Sequence, residues 1–294
     1  MIVVNIMGGL GNQLFEYAAG RSVSDRINTL LLLDLSLLDA SFDQETPREY
    51  ELGAFRIEAE IASPDQLKKY FRYRHNITPM RYLANRYTRA KYNRARFKEK
   101  NPYVYDPRVK MLGDSTYLSG NFISYRYFQH LRPLLLNEIQ LKNPLTADAD
   151  ADLRLIRDAG NSVAIHCRLG DYLTKQALYP ACGPDYYRAA VKHIEQTVER
   201  PRFFVFSDDI EAVLKSRLFD RSDFTLMPTR SPAVDLMLMK ACRHQVIANS
   251  TYSWWAAWLN DYADKIVVAP RIWLADNANF EANQSLLPPE WIRL

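Results

Sequence analysis

The sequence predicts an α/β protein of two domains, each built on an open parallel sheet. Three observations predict it. Short apolar runs alternate with helix-length segments, most regularly in the second half of the chain. Glycines, hydroxyls or charged residues follow those runs directly, as at the ends of buried strands. At 294 residues the chain is long for one core, and 48% hydrophobic with 24% charged residues is globular composition.

The elements follow in order. Residues 2–6 (IVVNI) form an apolar strand, Gly8-Gly9-Leu10-Gly11 a turn, and residues 13–25 a helix. A second apolar run at 29–33 ends on Asp34, which completes a βαβ opening. Residues 40–60 are polar and irregular. Residues 117–122 read as a strand and loop, and 128–141 as a helix. Asn143-Pro144 and the alternating Ala-Asp stretch at 147–152 read as a linker feeding a helix, whose first-turn acids complement the helix dipole. The domain boundary is therefore placed near residue 155, giving domains 1–155 and 156–294. In the second, strands are expected at 162–167, 203–207, 245–249 and 265–269. Helices are expected at 184–198, 210–218, 232–242 and 252–262. Such alternation implies parallel pairing with right-handed crossovers. Ligands then bind beyond the carboxyl ends of the strands, and two such domains facing each other would form a cleft.

The strand ends are where chemistry is expected. After the first strand, Gly8-Gly9-Leu10-Gly11-Asn12-Gln13 lets backbone approach a ligand at a helix N-terminus. The dinucleotide pattern fails there, because Leu14 stands where the third glycine of G-x-G-x-x-G belongs. In His166-Cys167-Arg168-Leu169-Gly170-Asp171-Tyr172, strand alternation puts His166 and Arg168 on one face. A guanidinium suits phosphate oxygens; an internal Arg168–Asp171 pair is the bland reading. Ser207-Asp208-Asp209 follows a buried run, but adjacent acids lack the D-x-D spacing of metal-binding nucleotide-sugar enzymes, and a helix cap is the alternative. Asn249-Ser250-Thr251-Tyr252-Ser253 opens a helix with hydroxyls, a phosphate-binding arrangement that needs no metal, or ordinary capping. Trp254 and Trp258, at i and i+4, read as core packing. Asp235 lies in the first turn of a helix opened by Ser231-Pro232. It complements the helix dipole or accepts donors from a nucleobase or ribose.

Composition bounds the rest. The net charge of +4 permits an anionic ligand without demanding nucleic acid. The three cysteines, Cys167, Cys182 and Cys242, have no metal-type spacing and fit a reducing compartment. No secretory signal pattern leads the chain, and no apolar run approaches the roughly 20 residues of a spanning helix. A cytoplasmic location is expected. Segment 66–100 concentrates Lys68, Lys69, Arg72, Arg74, Arg81, Arg86, Arg89, Lys91, Arg94, Arg96, Lys98 and Lys100 among tyrosines, with Glu99 the one acid. It reads either as a solvated helical face with tyrosines inward or as a peripheral contact with anionic lipid or an acidic acceptor. Nucleic acid is not expected as a partner.

Taken together and in this order, Gly8-Gly9-Leu10-Gly11-Asn12-Gln13-Leu14-Phe15, the stretch 166–172, Phe206-Ser207-Asp208-Asp209-Ile210, Asp235-Leu236-Met237-Leu238-Met239 and Asn249–Trp255 resemble the bacterial alpha-1,2-fucosyltransferases of glycosyltransferase family 11. The resemblance spans residues 8 to about 260. It implies a GT-B-like α/β fold of two Rossmann-like domains facing across a cleft, with acceptor on the N-terminal side and GDP-fucose on the C-terminal side. It implies inverting transfer of L-fucose to the 2-hydroxyl of a galactose-terminated glycan, with no metal and no cofactor beyond the donor. Arg168, Asp171 and His166 become the catalytic candidates. Gly9, Gly11, Asn12, Arg168, Ser207, Asp208, Asp235, Asn249, Ser250, Thr251 and Ser253 become the donor-binding candidates. One letter departs: the family's H-x-R-R-G-D has Leu169 in place of its second arginine. Two other readings stand beside this one, a noncatalytic nucleotide-sugar- or glycan-binding protein and a nicotinamide-dependent oxidoreductase.

Overall fold

In the computed structural model of the chain, residues 1–38, 48–71, 95–168, 182–274 and 285–294 are described. They divide into two compact units, Met1–Ile139 and Gln140–Leu294.

The first unit begins with β1 (Ile2–Asn5), buried at every residue, as befits a central strand of a parallel sheet covered on both faces. Gly8, at φ +70°, turns the chain into α1 (Leu10–Arg26). Then come β2 (Leu31–Asp34), β3 (Glu60–Ile61), α2 (Pro64–Phe71), β4 (Arg96–Lys98), β5 (Thr116–Ser119) and α3 (Arg132–Glu138). The sheet order is β3-β2-β1-β5-β4, and all pairs are parallel. Its order reverses between β1 and β5, where Val4 lies opposite Leu118. Val3, Leu32, Tyr70 and Tyr117 pack together on one face. Tyr70, within the basic segment, is thus buried inward, while Lys68 on the same helix is exposed and pairs with Asp65. Residues 72–94, which hold most of that segment, lie outside the described residues.

The second unit contains α4 (Ala147–Asp158), β6 (Ser162–Cys167), α5 (Pro184–Thr197), β7 (Arg202–Ser207), α6 (Ile210–Ser216), β8 (Phe224–Leu226), α7 (Pro232–Ala241), β9 (His244–Val246), α8 (Thr251–Leu259), β10 (Val267–Ala269) and β11 (Ile292–Arg293). The order β11-β10-β9-β6-β7-β8 is again wholly parallel. Counted from β6, this is the strand order of a dinucleotide-fold sheet, with its reversal between β6 and β9. Cys167 sits opposite Ser207 and Ile165 opposite Val246, so three strand ends converge near the reversal.

The division falls between Ile139 and Gln140 and not near 155. The Ala-Asp stretch is itself helical: Thr146 caps α4 by accepting from Ala149 N at 3.4 Å. Asp152 on that helix binds Arg230, whose Nε donates at 3.1 Å, which ties α4 into the second unit. Behind the sheet, Trp254 stacks on Trp258 with centroids 5.9 Å apart, and both indoles are buried. Trp254 Nε1 also donates to Leu286 O. The i,i+4 tryptophans are core, as their spacing predicts.

Candidate functional site

β6 delivers His166, Cys167 and Arg168 to the reversal of the second sheet. The run Ser-Val-Ala-Ile fixes this strand by burial on both faces. Arg168 is half-buried and its Nη1 donates to Ser250 Oγ at 3.2 Å. Ser250 is the N-cap residue of α8, yet its side chain caps no N–H, and the first turn holds no acid. The positive end of the helix dipole and a permanent cation therefore meet at one place. A developing negative charge is favoured there by about 4 kcal/mol for a unit charge 4 Å from the guanidinium at effective dielectric 20.

The hydroxyl cluster sorts into different roles. Thr251 is half-buried at the helix start. Ser253 is buried and donates inward to Ala248 O and Ser250 O, so it closes the turn. Asn249 is also buried. Its Nδ2 donates to Trp273 O at 3.3 Å and its Oδ1 accepts from Cys182 Sγ at 3.6 Å. Both residues brace the turn between β9 and α8. Ser207 behaves similarly: buried, its Oγ accepts from Asp209 N, while Asp209 caps α6 through Ala212 N at 2.9 Å. Asp208 is exposed at the same strand end. Capping accounts for one of the two acids.

Asp235 differs. Its Oδ2 accepts from Arg230 N at 3.1 Å, but Oδ1 is buried without a partner among the described residues. Burial raises its pKa, and the Arg230 backbone bond and charge oppose the rise. A buried acceptor without a partner costs free energy in the fold.

His166 is 6% exposed, edge-on to Tyr252 with ring centroids 5.6 Å apart. Burial, and secondly the charge of Arg168, hold its pKa down at about 3. Both causes favour the neutral imidazole. Asp171, the other base candidate, and Leu169 lie outside the described residues. No group of three or more His, Cys, Asp and Glu suited to a metal ion occurs among the described residues.

In the first unit, Gly9 caps α1 and a Cβ built on it would meet nothing within 4 Å, so the backbone is open to a ligand. Gly11 is buried in the first turn, and Asn12 is half-buried with its Nδ2 packed over Gly8. Gln13 is fully committed: Nε2 donates to Gly8 O and Glu49 O, and Oε1 accepts from Glu51 N. Asp34, the carboxylate a ribose would need in a nicotinamide enzyme, is 0% exposed. It accepts from Tyr117 Oη at 2.7 Å and Ser36 N at 3.0 Å. The oxidoreductase reading loses its second requirement with it.

The sequence reading passed over Glu99 as a site residue. It follows β4 and is 7% exposed. Its Oε2 accepts from Asn121 N at 3.0 Å and Phe122 N at 2.9 Å, and Oε1 from Tyr127 Oη at 3.0 Å. Burial raises its pKa to about 7 against those three bonds. The available signal was a single acid within a run of cations.

Two open parallel sheets, one in each unit, place the chain among proteins of the GT-B fold. The fold matches the crystal structure of fucosyltransferase NodZ from Bradyrhizobium (TM-score 0.52, 14% identity, 87% of this chain and 91% of that one). It also matches NodZ alpha-1,6-fucosyltransferase co-crystallized with GDP (TM-score 0.50, 14% identity, 87% and 91%). The chain belongs to glycosyl transferase family 11, whose family model matches residues 64–294. It is 29% identical over 310 residues to the O-antigen biosynthesis glycosyltransferase WbnK of Escherichia coli, covering 98% of this chain and 99% of that one. It is 30% identical over 305 residues to an Escherichia coli alpha-1,2-colitosyltransferase (100% and 99%). It is 26% identical over 269 residues to the galactoside 2-alpha-L-fucosyltransferase Sec1 of Mus musculus (88% and 64%). Among the described residues no helix is long and apolar enough to cross a membrane.

Proposed function

We propose that the chain transfers L-fucose from GDP-fucose to the 2-hydroxyl of a β-galactoside, with inversion and without a metal. The observation that carries the reading is the meeting of Arg168 with the α8 N-terminus at the reversal of the second sheet. Glycosyl transfer from a nucleoside diphosphate sugar moves negative charge onto the diphosphate as the glycosidic bond breaks. Arg168 and the helix end supply positive potential for that charge. Asp235 Oδ1 supplies an acceptor for the N–H groups of the guanine edge. The GDP in the NodZ crystals and the galactoside 2-alpha-linkage of the Sec1 relative agree with this assignment.

In this reading the buried His166 takes no proton. A loose transition state with a leaving-group oxygen near the acceptor hydroxyl needs no strong protein base. A second donor has an observation of its own in its favour. The relative aligned along the full chain at 30% identity transfers a colitosyl group, so a colitosyl donor is the alternative.

The test is incubation of the full chain with GDP-fucose or GDP-colitose and a panel of β-galactosides, followed by linkage analysis. An α-1,2-fucosylated product formed equally in EDTA supports the proposal. Exclusive use of GDP-colitose corrects the donor, activity restored only by manganese overturns the metal-free reading, and no transfer from either donor overturns the function.

A further inference from the structure

The first sheet carries a second built feature at its own reversal. β5 neighbours β1 where the strand order turns back, and the carboxyl ends of two such strands are where an open α/β sheet receives its ligand. Beyond β5 the backbone is unusual. Gly120 has φ +156° and Phe122 has φ +51°. A left-handed backbone at a bulky residue is an outlier that persists where the surroundings over-determine it.

The surroundings here do so through three consecutive N–H groups. Asn5 Oδ1, from the end of β1, accepts from Gly120 N at 3.1 Å. Glu99, from the end of β4, accepts from Asn121 N and Phe122 N. The glycine at 120 is required by that carboxylate: a Cβ there would lie 2.6 Å from Glu99 Oε2. Two further polar atoms, Asn5 Nδ2 and Glu16 Oε1, are buried without partners among the described residues, so polarity around β1 exceeds what the fold uses. With its backbone fixed, the turn holds Phe122, Ile123 and Ser124 buried and leaves Asn121 half-buried. No protein group among the described residues bonds the Asn121 carboxamide. That group offers two donors and an acceptor, the complement of vicinal sugar hydroxyls.

We propose that Asn121 contacts the hydroxyls of the acceptor sugar, and that Glu99 is the positioning residue that holds it there. This rests on the glycosyl-transfer reading above. The test is steady-state kinetics of the full chain with GDP-fucose and methyl β-galactoside, varying each substrate. Asn121→Ala removes no side-chain hydrogen bond made among the described residues. It is expected to raise the acceptor KM about tenfold, the worth of one hydrogen bond, with the donor KM within about twofold of wild type. Glu99→Ala is expected to raise the acceptor KM in the same way, and Glu99→Gln, which retains one acceptor oxygen, to recover part of the loss. An acceptor KM unmoved in Asn121→Ala, or donor and acceptor KM raised alike, overturns the inference while leaving the transferase reading standing. A wild-type chain that turns over no GDP-fucose overturns both.

Discussion

Replacing Glu99 by glutamine tests how this fold holds a buried acid. Glu99 is 7% exposed, and its carboxyl stands at a pKa of about 7 against an ordinary 4.5. Burial is the largest cause; the bonds from Phe122 N, Tyr127 Oη and Asn121 N oppose it, and the Asp106 charge adds to it. The sign follows from proton counting. Between the two values the folded chain keeps a proton that the unfolded chain has released. Stability therefore falls as pH rises through that window, and the penalty is complete above about pH 7. Two to three pKa units correspond to about 3 kcal/mol. Glutamine has no such titration. Its neighbours Glu16, Asp106, Arg108 and Tyr127 are the same in both proteins, so their own pH dependence largely cancels in the comparison. Urea unfolding of wild type and Glu99→Gln at intervals from about pH 4.5 to 8 measures the difference. The stability of the variant relative to wild type is expected to rise by about 3 kcal/mol across that range. A difference that stays flat with pH would refute the assignment of a raised pKa, and with it the view that this carboxylate is retained at a cost for the sake of the turn it holds.

Two further outcomes concern the second unit. Asp235→Ala removes a buried acceptor whose one open oxygen is assigned to the donor base, so GDP affinity by calorimetry is expected to fall about tenfold or more, with the chain still folded. For His166, whose pKa lies at about 3, the pH–rate profile is expected to show no limb near pH 6.5 that disappears in His166→Asn; such a limb would restore the histidine as an acid–base group.

The central strands were legible because each is an apolar run buried on both faces, as in residues 2–5 and 162–167. The short edge strands were not. Glu60 and Ile61 of β3 are exposed, and Arg96 and Lys98 flank one buried residue in β4, so neither leaves a hydrophobic run to read. Helix α8 stops at Leu259, short of the expected residue 262. Asn260 folds back there to donate to Cys242 O and Arg243 O and to accept from Tyr262 N. The same physics divides the site candidates. Arg168, Ser250 and Asp235 were singled out by residue type at strand and helix ends, and the structure places Arg168 and Ser250 in contact. Asn249, Ser253 and Ser207 share those positions, yet Asn249 bonds the distant Trp273 O while Ser253 and Ser207 make local turn bonds. Glu99 stood out as a lone acid among cations, but its partners come from residues 121, 122 and 127, a separation that local pattern does not reveal.

Arg168 decides the account. With donor and acceptor saturating, the rate of fucosyl transfer by Arg168→Ala, compared with wild type at equal folded concentration, measures the cation's work on the leaving diphosphate. A loss of about 100- to 1000-fold is expected, with Arg168→Lys recovering a small part because it lacks the planar fork. Turnover in Arg168→Ala close to that of wild type would contradict the placement of the diphosphate at the end of β6.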